Sequence, residues 1–272
     1  MKNKCSTKVA YGGKAVALLT YTSTMSCWSF SLPAGKHGAC PFMDASGEDK
    51  ICAGCYAQIN RYNMPNVLEA QHVRFNWLRL RLNNQKGRDE IIRVFNEAIR
   101  LHVTNGYFRV HDSGDFFSKN YTEVWYEICK ANPHIVFWFP TRVYSRLDKT
   151  VPADWQQVLI QLSTLPNVSV RASALSYNEI PPSKINTVFR TEGTTVLTGD
   201  TRLTGVAICA KSEHGGSCES NNCRTCWDSR DTPVAYLIHG FNGSDKAPVL
   251  SDKILNLRKQ VALTVRRQTV LV

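Results

Sequence analysis

Seven cysteines in two groups carry the strongest chemical signal in this sequence. The later group, Cys209-x8-Cys218-x4-Cys223-x2-Cys226, lies among Gly, Ser and Asn residues and beside Lys211, Glu213, Glu219 and Arg224. An irregular backbone of that composition can wrap four thiolates around one centre. Four thiolates suit either tetrahedral zinc or a fully ligated iron-sulfur cluster, and spacing alone does not separate the two. Unrelated buried thiols would instead be found in apolar surroundings. His214 is a candidate substitute ligand. The earlier group, Cys40-x11-Cys52-x2-Cys55 followed by Tyr56, offers three thiolates. Three ligands leave a coordination position for water, a substrate or a cofactor, which is what distinguishes reactive metal sites from closed ones. His37 or Cys27 would close this site if either supplied a fourth ligand.

A third constellation is His111-Asp112-Ser113-Gly114-Asp115, which follows a short β-rich segment. Two carboxylates, an imidazole and a glycine at the carboxyl end of a strand suit ligand binding, because ligands of α/β folds gather at that edge. Asp115 equally suits the plain task of opening the turn before a helix capped by Ser118. Arg142 and Arg171 fall at or near strand edges and have the chemistry to bind carboxylate or phosphate, or simply to face solvent. No residue stands out as catalytic.

These groups must be positioned by regular elements. Apolar residues recur at helical spacing over 67–83, interleaved with arginines, and again over 89–104, ending at Asn105-Gly106. His102 lies on the apolar stripe of the second helix as a core or boundary residue. A strand at 107–111, a helix from Ser118 to about residue 131 and an all-apolar strand at 135–139 ended by Pro140 follow. A helix at 153–164 and a strand at 167–172 continue the alternation. Such an order implies βαβ units and an α/β sheet, open or closed into a barrel. Beyond Ser173 the pattern shortens to β-like pieces at 187–190, 194–197 and 205–209. A strand at 234–239 and a basic helix at 251–268 complete the chain.

Composition narrows the class. The chain has 272 residues, 43% of them hydrophobic, with six Trp, ten Tyr and eleven Phe spread along it, which excludes disorder and gives material for a substantial core. No repeat of fixed period occurs. Lys2, Lys4 and Lys8 precede only a modest apolar stretch near 15–19, shorter than a signal-peptide core, and no segment is long enough to span a bilayer. A cytoplasmic protein without membrane association is expected. In that compartment ten cysteines point to metal rather than disulfides. The formal charge of +11 favours an anionic partner, nucleic acid or another anionic substrate, or else reflects a solvated face.

The blocks Ser29-Phe30-Ser31-Leu32-Pro33-Ala34-Gly35, Cys40-Pro41, Cys52-x2-Cys55-Tyr56-Ala57, Val110-His111-Asp112-Ser113-Gly114-Asp115-Phe116 and Cys218 to Cys226-Trp227 resemble the phage gene-product-88 family. That likeness covers most of residues 29–240, and a phage-encoded member would work in the host cytoplasm. A more distant resemblance is to radical S-adenosylmethionine enzymes, partial barrels that bind a [4Fe-4S] cluster through three cysteines. It implies an α/β fold with a partial (β/α) barrel of that type over 1–175, and a cysteine-rich C-terminal portion over 176–272 that closes the barrel or forms an auxiliary cluster module. It further implies an enzyme with one or two iron-sulfur clusters, zinc being the alternative metal. Cys40, Cys52 and Cys55 would hold the reactive cluster, with S-adenosylmethionine on its open iron. Ser113-Gly114-Asp115 stands where that family has Gly-Gly-Glu, so Asp115 would take the methionine ammonium, with Tyr56, Arg142 and Arg171 near the cofactor. The first cysteine interval is eleven residues here where that family has three. A zinc-stabilised nucleic-acid-binding protein without catalysis is the rival reading.

Overall fold

The computed structural model describes residues 4–35, 38–40, 43, 50–53, 55–146 and 151–238. In chain order its elements are β1 (Lys8–Tyr11), β2 (Lys14–Ala17), β3 (Thr20–Thr22), β4 (Cys27–Phe30), α1 (Lys50–Ala53), α2 (Pro65–Arg81), α3 (Gln85–His102), β5 (Tyr107–Val110), α4 (Lys119–Ala131), β6 (Val136–Thr141), α5 (Ala153–Thr164), β7 (Val168–Ala172), α6 (Ser183–Phe189), β8 (Thr194–Leu197), β9 (Ala207–Ile208), α7 (Ala210–His214), α8 (Thr225–Asp228) and β10 (Val234–Leu237). The expected basic helix at 251–268 lies outside the described residues, as does His37.

The central sheet runs β3-β4-β5-β6-β7, with β4 to β7 parallel and in sequence order and β3 antiparallel at the edge. Helices occupy each crossover, as the alternation implied. A second, parallel sheet runs β8-β10-β9, and a single bridge from Ser173 to Thr194 carries the parallel direction from the end of β7 into β8. Among the described residues these strands do not close into a barrel. Arg74 on α2 is buried and donates to the Ala17 and Ser31 carbonyls, tying the hairpin to the end of β4.

Strand alternation gives the central sheet two different faces. Trp28, Phe30, Phe108, Val110, Phe137, Phe139, Val168 and Val170 point to the helices and form the main core with Phe95, Trp125, Leu159 and Leu162. Aromatic edge-to-face pairs such as Phe30–Phe95 and Phe95–Trp125, both at 4.9 Å between centroids, stabilise it beyond their burial. The opposite face carries Ser29, Arg109, Trp138 and Ser169 in register. The cysteine-bearing C-terminal portion packs on it: Cys27 and Trp138 share a cluster with Cys226, Trp227 and Val234.

Two local expectations are corrected. Pro140 does not end its strand, because β6 runs on to Thr141, which pairs with Ala172 of β7 and whose carbonyl accepts from the Ser173 amide at 2.8 Å. Of the residues expected as a β-like piece at 187–190, Thr187 to Phe189 belong to helix α6 and Arg190 is its left-handed C-cap; the helix follows Pro181-Pro182 and places Ile185 and Phe189 one turn apart in the core. The N-terminal hairpin was not anticipated. Gly12 and Gly13 both take positive φ, 58° and 73°, as a two-residue type I′ hairpin loop requires. Among the described residues no helix is long and apolar enough to cross a membrane.

Candidate metal centres

The later cysteines are delivered by a succession of short elements. Cys209 follows β9, and its amide donates to the Ala235 carbonyl of β10 at 2.7 Å. The Cys218 amide donates to Thr24, in the turn before β4, and the Cys223 amide donates back to the Cys218 carbonyl, both at 2.9 Å. Cys226 sits in α8, its sulfur 3.2 Å from the Tyr236 hydroxyl. All four thiols line one cavity of about 20 Å³, together with Lys211 and Trp227. That is room for about one water-sized occupant. Burial pushes the Cys226 thiol up to about 12 against the Tyr236 hydrogen bond and the Arg171 charge, and burial, then Cys209 and Cys223, raises Cys218. Among the described residues no three His, Cys, Asp or Glu side chains stand in the geometry of a bound ion. His214 is exposed beside Glu213 and is not among the residues that line the cavity.

Arg171 is corrected from an anion-binding edge residue to an internal staple. It is fully buried, and its five N–H groups donate to five carbonyls: Cys226 at 3.0 Å, Glu192 at 2.8 Å, Thr225 and Thr232 at 2.9 Å, and Ser229. Four of those carbonyls belong to residues 225–232, so this one side chain holds the last cysteine onto β7. None of its donors is left for an external ligand.

The earlier group lies at the carboxyl ends of β4 to β6. Cys40 follows Ala39, whose carbonyl accepts from the Asp115 amide at 3.0 Å. The Cys40 thiol is raised by burial first, then by Asp115 and Cys55, while the Gly35 amide and Arg142 act the other way. The structure therefore brings Cys40, Cys55, Asp115 and Arg142 together. Cys52 is buried in α1, its carbonyl accepting from the Cys55 amide at 3.2 Å, and the Ile51 amide ties this helix to Leu175 just beyond β7.

Asp115 accepts from the Thr141 hydroxyl at 2.6 Å and from the amides of Phe116 and Arg142 at 2.7 and 2.9 Å. Burial nevertheless pushes its carboxyl up to about 6. Ser113 and Gly114 are occupied in holding the chain. The Ser113 hydroxyl donates to the Leu32 carbonyl at 2.7 Å and its own carbonyl accepts from the Leu32 amide at 2.9 Å. Gly114, at φ +89°, passes so close to Leu32 that a Cβ would lie 2.8 Å from the leucine Cβ. Tyr56 exposes its ring but turns its hydroxyl inward, donating to the Asp112 carbonyl at 2.7 Å and accepting from Arg109 at 3.0 Å. The Arg142 side chain donates to the Ala174 carbonyl at 3.1 Å.

Sequence reasoning did not single out Arg109, the cation between the two groups. It pairs with Asp112 at 2.7 Å and stacks over Trp138 at 4.8 Å, and its charge also reaches Cys27 and Cys218. Burial works against its charge, but Tyr56, Asp112 and Tyr62 outweigh that and raise it. Tyr62 completes the network by donating to Asp112 at 2.7 Å. A polar residue at the third position of Tyr107-Phe108-Arg109-Val110 was the available signal, since it marks the face turned from the main core.

A family model described as Gene product 88 matches residues 2–229, most of the chain and all seven grouped cysteines. The chain belongs to the Gene product 88 family. The Gene 88 protein of Mycobacterium phage L5 is similar to it, 30% identical over 120 residues that make up 42% of this chain and 47% of the relative. The chain thus matches about half the length of that curated relative. No solved structure matches. Membership of a bacteriophage gene-product family agrees with the first of the two resemblances, and the family match ends just before β10.

Proposed function

We propose that this Gene product 88 family member is a phage metalloprotein with two unequal centres, an open iron-sulfur site of radical S-adenosylmethionine type and a closed thiolate site. The reading is supported by one observation above others: Cys40, next to Ala39 whose carbonyl accepts from the Asp115 amide, lies within electrostatic reach of Cys55 and Asp115 near the carboxyl ends of consecutive parallel strands. Three thiols fit, in donor chemistry, a cluster with one unligated iron. When bound, the cluster and S-adenosylmethionine would supply one-electron chemistry. The chain's own contribution is orientation. Asp115 uses three acceptor sites internally, leaving about one of a carboxylate's four for an ammonium, a charge-assisted contact made above the carboxyl's raised range. Ser113 and Gly114 fix that carboxylate by clamping its loop to Leu32. A partial barrel completed by the C-terminal portion is the architecture this reading requires, and the +11 charge supports an anionic or nucleic-acid-related substrate in the host cytoplasm.

At the later group four cysteines line one small cavity, a donor set that suits either tetrahedral zinc or a fully ligated iron-sulfur cluster.

Anaerobic reconstitution with iron and sulfide should give broad visible absorbance that Cys52→Ala and Cys55→Ser diminish. The reduced protein with S-adenosylmethionine should release 5′-deoxyadenosine. Asp115→Asn should keep the absorbance and lower that release by about tenfold or more, the scale of one charged hydrogen bond. If reconstitution fails and zinc alone copurifies, the iron-sulfur reading is rejected, and salt-sensitive nucleic-acid binding by such a protein would establish the non-catalytic rival.

A further inference from the structure

Cys27 lies more than 180 residues before the later cysteines and opens β4. The fold nevertheless sets it against them. The turn that leads into it, Thr22–Ser26, is fastened to the cysteine segment twice. The Cys218 amide donates to the Thr24 carbonyl at 2.9 Å, and the Arg224 guanidinium donates to the Met25 carbonyl at 2.6 Å. Asn105 holds the next carbonyl, that of Ser26, at 2.6 Å. Cys27 itself is completely buried, on the sheet face that carries Trp138, in one cluster with Cys226 and Trp227 and with Cys209 packed alongside.

Cys218 is the hub of this arrangement. It lies within electrostatic reach of Cys209, Cys223 and Cys226, which line the cavity with it, and of Cys27, which packs in the same cluster without lining the cavity. Arg109 and Arg224 both stand near the Cys27 and Cys218 sulfurs. Two fixed cations lower the cost of gathering several thiolates in a buried place. Cys129 provides the contrast, a fully buried cysteine on α4 in the main core with no thiol among its electrostatic partners.

We propose that Cys27 is a fifth thiol of the later centre and substitutes for the half-buried Cys223 as ligand to a thiophilic divalent ion. The inference rests on the metal reading of that site. A four-coordinate ion needs four thiolates and the fold offers five, so losing either Cys27 or Cys223 leaves a full set, while losing both does not.

Cobalt(II), whose sulfur-to-metal charge-transfer absorption counts thiolates, tests this. Full-length reduced protein is titrated anaerobically as wild type, Cys223→Ser, Cys27→Ala, the double variant, and Cys129→Ala as a matched buried control. The three single variants should match wild type, and the double variant should lose one thiolate's share of the absorption and release cobalt to a chelator faster. The assignment is overturned if Cys223→Ser alone already loses that share, a result that does not depend on the core variant folding. It is overturned equally if the double variant retains the wild-type spectrum. Absence of any thiolate absorption above that of the early group in wild type rejects the metal reading of the site and Cys27's role with it.

Discussion

The later cysteine group packs on one face of the central sheet and the early group lies near the loops that follow its strands, and the chain builds them by different means. At the amino ends of β4 to β6, the later group is packed into the fold. Trp227 stacks edge-on against Tyr107 and Trp138 with centroids 5.7 and 5.2 Å away, and its indole N–H donates to the Phe108 carbonyl at 3.0 Å. Arg171 adds five more bonds from β7. At the carboxyl ends, the early group rests on loops and one-turn helices, with Cys40 and Cys55 partly exposed. A centre woven into packing contributes to stability, whereas one on an edge keeps room for an external ligand. Arg109 joins them, paired with Asp112 on one side and facing Cys27 and Cys218 on the other. The difference is one of packing: the later group is tied into the fold, and the early group lies on a more open edge, which is where the proposed function puts its chemistry.

That contrast breaks most directly at Arg171. Arg171→Ala strands five buried carbonyls and should cost more than about 4 kcal/mol, the range of lost buried networks. Urea unfolding measures it, and a loss under about 1 kcal/mol, as for a surface position, would remove the structural role of the inner-face group. Gly114→Ala sharpens the other side. The added methyl must displace Leu32, and the residue must hold φ +89°, so we expect a loss of about 1–3 kcal/mol. Cofactor-dependent activity should fall further than this stability loss explains, because Asp115 follows directly. Equal retention of activity and stability would show that the edge does not depend on this close approach.

A third expected effect concerns pH. Burial, first, and Arg109 lower the His111 imidazole to about 3 from the ordinary 6.5, with the Pro140 carbonyl opposing. Between those values the unfolded chain takes up a proton that the folded chain refuses. The contribution of His111 is therefore full above pH 6.5 and is lost as the pH falls toward 3. His111→Asn, which suits the positive φ of 60° at this position, should flatten the decline in melting temperature between pH 6.5 and 4. An unchanged slope would mean that other groups govern acid sensitivity at the edge.

Much of the frame was legible in the chain itself. Helices α2 to α5 and strands β5 to β8 follow from period and capping, as at Ser118, whose hydroxyl accepts from the Tyr121 amide at 3.3 Å. The spacing of the later cysteines pointed to a common centre, and all four line one cavity. Periodicity is a local property, and these features are local. Pro140 misled because a β6 residue can lack a donor and still extend along its partner, and 187–190 misled because β-branched residues follow a proline-led helix start. What the sequence by itself determined was therefore the alternation of elements and the residue types available for chemistry. Only the tertiary structure decided which of them meet. It turned Arg171 inward onto carbonyls from residues 192–232, set Arg109 between two sites, and carried Cys27 to the later group. Each of these depends on which face of which strand a side chain occupies and on what packs there. That is fixed by contacts between residues far apart in the chain, which no spacing rule encodes.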